Sequence, residues 1–402
     1  MGQTADAAVH QADDPLWDRP LTRLFTGRTI PFGTDRKSGC SPSCYTLAFV
    51  EKTLTPRALG FAMPAEWAPH AATWTAWPYD DEKWLGYLEP VRQEFAAFVN
   101  TLARFEPVHL VVNDEESEQD AQARLSGPIH FHRIPHDDLW LRDSGAIFVT
   151  RATASGAEVA AVNWEFNGWG GKYPAQQDNQ MPLHMARILG MRLFHAGIVM
   201  EGGSLEVNGG GLCLTTRQCL RSPERNPGLD EEALEGYLNQ FLGIDHVVWL
   251  GDGLEGDHTD GHIDTLTRFT SPRAIVTSVS PDPDDPNHRP LQENLEILRG
   301  LEGFRIVELP LPQNPRWLDS ETRLPLTYAN FYIANGAVLV PIYDDPHDEQ
   351  ALEILRPLFP GREVIGLKSR YLITGGGSFH CVTQQQPAGK IWKVSPTTEE
   401  LS

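Results

Sequence analysis

The feature of this sequence that most restricts its fold is a pattern that recurs five times along the chain. Five polar or glycine-bearing segments each lead into a short apolar run, and they centre on Asp143, Glu201, His262, Asn330 and Cys381, with separations of 58, 61, 68 and 51 residues. Four of them continue through a turn or a glycine into a second β-rich run, as a β-hairpin does. Units that recur in this way indicate like modules packed in a ring or an array.

Helix-like and strand-like stretches alternate between these segments. The clearest helix covers residues 230–242, where Leu234, Leu238, Phe241 and Leu242 share one face and acidic residues occupy the first turn. The run HVVWL follows it as a predicted strand. The same order of helix and strand recurs at residues 92–112, 178–196, 291–309 and 348–367. Each module is therefore predicted to contain a hairpin, a helix and a further strand.

A ring agrees better with the chemistry of the segments than an open array. Polar residues at equivalent places in the modules of a ring converge on a common axis, so Asp143, Glu201, His262 and Cys381 become neighbours in space. The sequence predicts one ring-shaped domain of residues 61–390. Residues 1–60 lack helical or strand periodicity, and we expect a poorly ordered extension there and a short tail at residues 391–402.

Charge and cysteine content limit the partners and the compartment. The formal net charge of -21 disfavours nucleic acid and anionic membranes and favours a small cationic partner. The five cysteines, Cys40, Cys44, Cys213, Cys219 and Cys381, have the spacing of neither a disulfide framework nor a zinc site, which suits a reducing compartment. The amino terminus lacks a secretory pattern and no segment reaches the length of a membrane span, so we expect a cytoplasmic protein. The sequence leaves a homo-oligomer open.

The segment LITGGGSFHCVTQQQ has the character of a presented nucleophile. Its three glycines permit a close approach of the backbone and lead to Cys381, whose thiolate would be a strong nucleophile. A thiolate, the imidazole of His262 and several carboxylates then share one centre. A planar guanidinium suits this set, because carboxylates pair with its N–H groups and its carbon becomes open to attack once it is held and desolvated.

Seven motifs in order along the chain are MPAEWAPHAATWTAWP, DDLWLRDSG, FNGWGGKY, EGGSLEVNGGGLCLTTRQCL, WLGDGLEGDHTDGHID, NFYIANGAVLVP and GGGSFHCVTQQQP. They resemble the motifs of the agmatine deiminase and bacterial peptidylarginine deiminase family over residues 63–387. The resemblance implies a hydrolase of the guanidino-group-modifying superfamily. It also implies the pentein fold, a pseudo-symmetric five-module α/β propeller in which each module is a small mixed sheet plus a helix around a central site.

The resemblance also implies roles for five residues. Cys381 would be the nucleophile that forms a covalent amidino-cysteine, and His262 would act first as an acid and then as a base. Asp143 and Asp264 would bind the guanidinium nitrogens, and Glu201 would orient His262. The implied reaction converts agmatine to N-carbamoylputrescine and ammonia, a step of putrescine and polyamine biosynthesis, and it implies neither a cofactor nor a metal.

Peptidylarginine and free arginine remain alternative substrates. Trp140 is expected to line the path of the substrate's alkyl chain. The chain departs from the family pattern at Ser144, Ala146, Ser378-Phe379 and His258, in loops that we expect to border the pocket. A site for arginine would need cationic partners for its carboxylate, and the sequence assigns none.

Two alternatives come from other classes of protein. A metal-dependent hydrolase would use the loop of residues 257–264, where His258 and His262 have the spacing of helical zinc ligands; Gly261 indicates a loop instead, and the helical geometry then fails. The residues considered as metal ligands are Asp257, His258, Asp260, His262 and Asp264, with a weaker cluster at His130, His132 and His136. A non-catalytic cation-binding module is the second alternative, against which the intact Cys381 argues.

Overall fold

A computed structural model describes residues 55–393 of the chain. Most of the predicted extension (1–60) and tail (391–402) therefore lies outside the described residues, but the parts that are described are packed. Arg57 pairs with Asp245 at 2.7 Å, and the Trp392 ring stacks on Phe194 with centroids 5.8 Å apart. No helix in the described part of the chain is long and apolar enough to cross a membrane.

The described residues form nine helices and seventeen strands. The helices are α1 (Leu88–Leu102), α2 (Glu115–Arg124), α3 (Leu141–Ser144), α4 (Gly168–Gly171), α5 (Met181–Leu189), α6 (Arg217–Leu220), α7 (Glu231–Leu242), α8 (His288–Arg299) and α9 (Asp348–Leu355). The strands are β1 (His70–Ala76), β2 (Val108–Val112), β3 (Ile129–Arg133), β4 (Ile147–Thr153), β5 (Gly156–Glu165), β6 (Leu193–Val199), β7 (Glu206–Val207), β8 (Leu212–Thr216), β9 (His246–Leu250), β10 (Thr267–Ser271), β11 (Ala274–Val279), β12 (Arg305–Pro310), β13 (Tyr332–Ile333), β14 (Ala337–Ile342), β15 (Glu363–Lys368), β16 (Gln384–Pro387) and β17 (Lys390–Ile391).

Four modules share one construction. An antiparallel pair of strands is followed by a helix and then by a strand that runs parallel to the second member of the pair, as in β7, β8, α7 and β9. The other three are β4-β5-α5-β6, β10-β11-α8-β12 and β13-β14-α9-β15. The helix predicted at residues 230–242 is confirmed as α7: it begins after Asp230, whose side chain accepts a hydrogen bond from the Ala233 N–H, and it buries Leu234, Leu238 and Leu242.

The end of the chain completes the remaining module. Strand β16 pairs antiparallel with β1, with Trp74 opposite Gln384, and β1 continues through α1 into the parallel strands β2 and β3. Because β16, near the end of the chain, supplies the antiparallel partner of the first strand, five modules close into a ring. The predicted five-module α/β propeller is confirmed.

Strand β16 differs in composition from the apolar run that the repeat predicts. Its three glutamines are buried, and each side chain has a specific partner: Gln384 donates to the Ala146 carbonyl at 2.7 Å, Gln385 accepts from Arg142 at 2.7 Å, and Gln386 accepts from Trp74 at 3.0 Å. Polar side chains are tolerated here because each makes at least one hydrogen bond to a described residue. Strand β16 thereby fixes the segment that carries Cys381.

Candidate active site

Short turns at the inner ends of the modules carry the predicted site residues. Asp143 lies on the single turn α3, Glu201 precedes the 3-10 turn Gly202–Ser204, and His262 and Asp264 flank the start of the 3-10 turn Ile263–Thr265. Cys381 follows the glycine segment that ends the 3-10 turn Leu372–Gly375. All five side chains are buried, with exposed fractions between 0% and 5%. The ring thus brings together residues that are up to 238 positions apart (381 minus 143).

Gly203 marks the point at which three of these side chains meet. A Cβ atom at this position would lie 2.5 Å from His262 Nδ1, 2.8 Å from Asp143 Oδ1 and 3.1 Å from Asp264 Oδ2. These distances are too short for a carbon atom, so only glycine leaves room here. The imidazole and the two carboxylates therefore surround one small space beside the backbone of residue 203.

The Cys381 sulfur borders the same group. Its Sγ lies 3.5 Å from Asp264 Oδ2 and accepts a hydrogen bond from Asn330 Nδ2 at 3.1 Å, and Asn330 Oδ1 also accepts from the Ser378 N–H. Burial, together with the charges of Asp264 and Asp143, raises the pKa of the Cys381 thiol well above its ordinary value. A cation placed among these groups would lower that pKa. Asn330 was not among the predicted site residues, although it centres the fourth repeated segment.

His262 lies between two carboxylates. Its Nδ1 is 3.7 Å from Asp143 Oδ1 and its Nε2 is 3.8 Å from Glu201 Oε2, and neither ring nitrogen makes a hydrogen bond to a described residue. Burial alone would lower the pKa of His262, but the negative charges around it, Asp143 foremost, raise that pKa well above its ordinary value. The ring is therefore a proton donor with both nitrogens available.

Glu201 is held by Arg225, which the sequence did not indicate as a site residue. Arg225 Nε contacts both carboxylate oxygens of Glu201 at 2.9 Å, and Arg225 Nη1 pairs with Asp260 at 2.9 Å. Burial would raise the pKa of Glu201, but His262 and Arg225 together hold it below its ordinary value. Glu201 is thus an ionised partner for the imidazole. Arg225 lies in a loop outside the seven motifs, so only a tertiary contact reveals it.

The two aspartates differ in how they are held. Asp143 accepts from the Gly203 N–H through Oδ1 and from Trp169 Nε1 through Oδ2, both at 2.9 Å, and burial raises the pKa of Asp143 to about 6. Asp264 Oδ2 is 2.7 Å from His380 Nδ1, while Asp264 Oδ1 makes no hydrogen bond to a described residue. The two carboxylates can therefore present oxygens to one cation. Trp169 belongs to the quoted motif FNGWGGKY, which could have indicated its role.

Trp140 lies against the glycine segment beside the nucleophile. A Cβ atom on Gly377 would be 2.8 Å from Trp140 Cζ3 and 2.9 Å from Cys381 Cβ. The Trp84 ring is tilted against Trp140, with centroids 6.2 Å apart. Two indoles and the glycine segment thus form an apolar wall next to Cys381. That Trp140 lines the path of a substrate's alkyl chain stays a prediction.

The side chains of the loop 257–264 do not converge as metal ligands. The two oxygens of Asp257 accept from the backbone N–H groups of Thr259 and His262, and Asp260 pairs with Arg225 and Lys172. His258 Nδ1 is 3.2 Å from the Tyr173 hydroxyl. The backbone here is a series of turns, so the helical spacing of His258 and His262 is absent.

The other possible metal ligands are also engaged. Among residues 55–393, one group places three ligand atoms within 4.8 Å of one another, namely Glu201, Cys219 and His262, and Arg225 already occupies the carboxylate of Glu201. His130 and His132 lie on the half-exposed strand β3, apart from His136, whose Nδ1 is bonded to the Ile134 carbonyl. The geometry favours a cation held by carboxylates beside a thiol.

Comparisons with known proteins agree with this chemistry. Residues 62–387 match the profile of the family described as Porphyromonas-type peptidyl-arginine deiminase. The agmatine deiminase of Ectopseudomonas mendocina (strain ymp) is 37% identical over 364 residues, which cover 84% of this chain and 98% of that protein.

Solved structures are similar over the same span. The agmatine deiminase of Enterococcus faecalis superposes with a TM-score of 0.79 at 30% identity, covering 83% of this chain and 97% of that one. A cysteine-to-serine variant of the C. jejuni agmatine deiminase with substrate bound gives a TM-score of 0.76 at 31% identity, covering 82% and 97%. The similarity therefore spans the five-module ring and nearly the whole of each relative.

Proposed function

The chain belongs to the Porphyromonas-type peptidyl-arginine deiminase family, a family of hydrolases that act on carbon–nitrogen bonds, and on that premise we propose that it hydrolyses agmatine to N-carbamoylputrescine and ammonia. The observation that carries this proposal is the buried meeting of Cys381, His262, Asp143 and Asp264 around Gly203. A guanidinium placed there would satisfy both carboxylates and bring its carbon to the sulfur.

Binding of the cation would activate the nucleophile. Asp143 and Asp264 each pair with N–H groups of the guanidinium, which fixes the orientation of its plane beside Cys381 Sγ. The positive charge lowers the pKa of the thiol, and the thiol proton leaves to solvent. Before substrate binds, the same thiol keeps its proton because burial and the carboxylates raise its pKa. The enzyme would therefore carry a reactive thiolate only when a cation occupies the site.

The first half of the reaction releases ammonia. The thiolate attacks the guanidinium carbon and forms a neutral tetrahedral adduct with a new C–S bond. His262, which enters as the imidazolium, gives its proton to one terminal nitrogen, the C–N bond breaks and NH3 leaves. The remaining amidino group is bound to Cys381 as a cationic S-substituted isothiourea, and His262 is now neutral.

The second half of the reaction restores the enzyme. Neutral His262 removes a proton from water, and the resulting hydroxide adds to the amidino carbon. The C–S bond then breaks, the hydroxyl proton passes to the departing sulfur, and the ureido product is released. Glu201, ionised and fixed by Arg225, stabilises the imidazolium in both halves and keeps its ring oriented. The reaction balances with one guanidinium and one water as reactants. It needs no external oxidant or reductant.

Agmatine is favoured over arginine because the neighbouring cationic side chains are already bonded to oxygens of the protein. Arg142 donates to the His380 carbonyl and to Gln385, Arg225 binds Glu201 and Asp260, and Lys172 binds the His258 carbonyl and Asp260. These three cations border the centre but are committed to protein oxygens, which leaves them poorly placed to receive a substrate carboxylate. A decarboxylated guanidino compound needs no such partner, and it is the cationic small molecule that the net charge of -21 also favours.

Turnover of three substrates tests the proposal directly. Ammonia release is measured with agmatine, free arginine and a peptidylarginine at equal concentrations, with Cys381→Ala as the inactive control. A clear preference for either arginine form would overturn the choice of agmatine. Rapid quenching followed by intact-mass measurement should reveal protein heavier by agmatine minus ammonia, and this species should be absent in Cys381→Ala. The cytoplasmic location and a homo-oligomeric state stay predictions.

A further inference from the structure

His380, the residue before the nucleophile, connects two buried carboxylates. Its Nδ1 is 2.7 Å from Asp264 Oδ2 and its Nε2 is 2.8 Å from Glu66 Oε2, and its exposed fraction is 1%. An ionised carboxylate only accepts hydrogen bonds, so each ring nitrogen is placed to donate to one of the two carboxylates. His380 therefore links Asp264 to Glu66.

The far end of this chain of contacts is rigidly anchored. Glu66 Oε2 accepts from Arg268 Nη2 at 2.6 Å, and Glu66 Oε1 accepts from the Ile333 N–H at 2.7 Å. Arg268 is fully buried and also binds Glu206 at 2.7 Å. Glu66 is thus held by three partners, Arg268, the Ile333 N–H and His380.

Asp264 is oriented by this arrangement. Its Oδ2 is 2.7 Å from His380 Nδ1 and 3.5 Å from Cys381 Sγ, so the same oxygen contacts both the histidine and the nucleophile. Rotation of the carboxylate would break the charge-assisted bond to His380, which therefore holds Oδ2 beside the sulfur. Asp264 Oδ1 is also buried and makes no hydrogen bond to a described residue, so the carboxylate keeps acceptor capacity for a cation.

We propose that His380 is a positioning residue for the deimination reaction, which together with Glu66 holds the carboxylate of Asp264 in place beside Cys381, where the guanidinium binds. This inference rests on the proposed function in one respect, namely that Asp264 binds the substrate cation. It also assigns Glu66 the role of anchoring the chain of contacts Glu66–His380–Asp264, which we call the relay.

The electrostatics of the relay agree with this assignment. Burial alone would raise the pKa of Asp264, but the hydrogen bond and charge of His380 outweigh it and hold that pKa below its ordinary value. The pKa of Glu66 is likewise lowered, with Arg268 and His380 as the main causes against burial. The charged and titratable groups that surround the relay are His70, Arg142, Asp143, Glu206, His262, Arg268, Tyr332, Arg362 and Cys381.

Two substitutions separate positioning from packing. In His380→Asn a neutral amide can still donate to Asp264, whereas His380→Leu fills the space without any donor. With agmatine, kcat/KM should fall about tenfold in His380→Asn and about a hundredfold or more in His380→Leu, mainly through KM, because Asp264 contacts the cation in both ground and transition states. The acidic limb of the kcat/KM profile, which Asp143 sets in the wild type, should become steeper in His380→Asn, since the pKa of Asp264 rises once its partner His380 is lost.

His70→Gln is the matched control. His70 is also a buried imidazole bonded to a glutamate, with Nδ1 3.0 Å from Glu106 Oε1; its Nε2 contacts the backbone carbonyl of Glu66 at 2.6 Å, but it makes no hydrogen bond to the Glu66 carboxylate or to Asp264. Its variant should keep the acidic limb of the wild type. Equal losses in the Asn and Leu variants, or an acidic limb that does not become steeper, would overturn the positioning role. If His380→Leu fails to fold, Glu66→Gln provides the second test and should make the limb steeper by a smaller amount.

Alkylation of Cys381 gives a readout that needs no turnover. A cationic haloalkyl amidine must be bound by the carboxylates before it reacts, whereas neutral iodoacetamide need not be. His380→Asn should slow the cationic reagent about tenfold relative to iodoacetamide, as weakening of one buried charged hydrogen bond predicts. Equal slowing of both reagents would contradict the proposal. This experiment separates failure of the proposed substrate from failure of the positioning role. If the wild type does not turn over agmatine, but His380→Asn still slows the cationic reagent more than iodoacetamide, the proposed substrate is refuted and the positioning role stands.

Discussion

Replacing Asp143 by Asn tests whether the charge of this side chain, rather than its shape, binds the substrate. Asp143 is 5% exposed and accepts two hydrogen bonds, from the Gly203 N–H and from Trp169 Nε1. Loss of one partner of a buried, hydrogen-bonded charge pair costs about 2–5 kcal/mol. A value of about 3 kcal/mol corresponds to a fall in kcat/KM of roughly 150-fold at neutral pH, since about 1.4 kcal/mol is a factor of ten.

The same substitution should not weaken the fold at neutral pH. The pKa of Asp143 is raised from 3.8 to about 6 by burial, so the folded protein holds this proton more tightly than the unfolded chain does. The associated stability is present below pH 3.8 and is lost as pH rises through about 6. At pH 7 the ionised carboxylate therefore costs about 3 kcal/mol, from roughly two pKa units at about 1.4 kcal/mol each.

Asparagine removes this cost but adds a smaller one. Its amide nitrogen must face either the Gly203 N–H or Trp169 Nε1, and an unsatisfied buried donor costs about 1–3 kcal/mol. The free energy of unfolding of Asp143→Asn at pH 7 should therefore equal or slightly exceed that of the wild type. An aspartate with a purely structural role would instead give a variant that is both less active and less stable.

The pH dependence gives a third observable. Below pH of about 6 the wild-type kcat/KM should fall tenfold per unit as Asp143 takes up its proton, and Asp143→Asn should lack this limb. Denaturant unfolding measures the free energy of unfolding. Initial rates of ammonia release between pH 5 and about 8 measure kcat/KM and its pH dependence. The control is Asp143→Asn in a Trp169→Phe background, where one competing donor is absent and the unfolding free energy should rise further. Activity within about threefold of the wild type in Asp143→Asn would refute the reasoning, because the low end of the expected loss, about 2 kcal/mol, already corresponds to a fall of roughly 30-fold.

Three further predictions concern the surroundings of the site. Asn330→Asp should slow alkylation of Cys381 by iodoacetamide about tenfold or more, because another carboxylate beside Sγ raises the pKa of the thiol; unchanged alkylation would show that Asn330 does not contact the sulfur. Gly203→Ala should abolish ammonia release, since the added methyl would lie 2.5 Å from His262 Nδ1, whereas Gly236→Ala, with open space on α7, should stay active and gain up to about 1 kcal/mol of stability in denaturant unfolding. Burial lowers the pKa of His109 from 6.5 to about 4, so the contribution of the neutral ring to stability is present above pH 6.5 and is lost as pH falls through about 4. The melting temperature of His109→Phe should therefore fall less between pH 7 and about 4.5 than that of the wild type. An equal fall in the two proteins would refute this prediction.

The sequence by itself determined the modules and the chemical character of their inner ends. The period of Leu234, Leu238 and Leu242 with Asp230 before them predicts α7, because helix periodicity and capping depend on residues within a few positions of one another. The glycine segment before Cys381 likewise predicts a close approach of backbone and sulfur. Five repetitions of such local signals were enough to predict a ring with a shared polar centre.

Only the tertiary structure decided how the members of that centre are paired. Arg225 reaches Glu201, Asn330 reaches Cys381, and Glu66 reaches His380 from 314 positions away. No local preference encodes these contacts, since each depends on how far neighbouring turns are rotated and brought together. That geometry is set when β16 closes the ring on β1, after which burial forces every charge at the centre to find a partner or to shift its pKa.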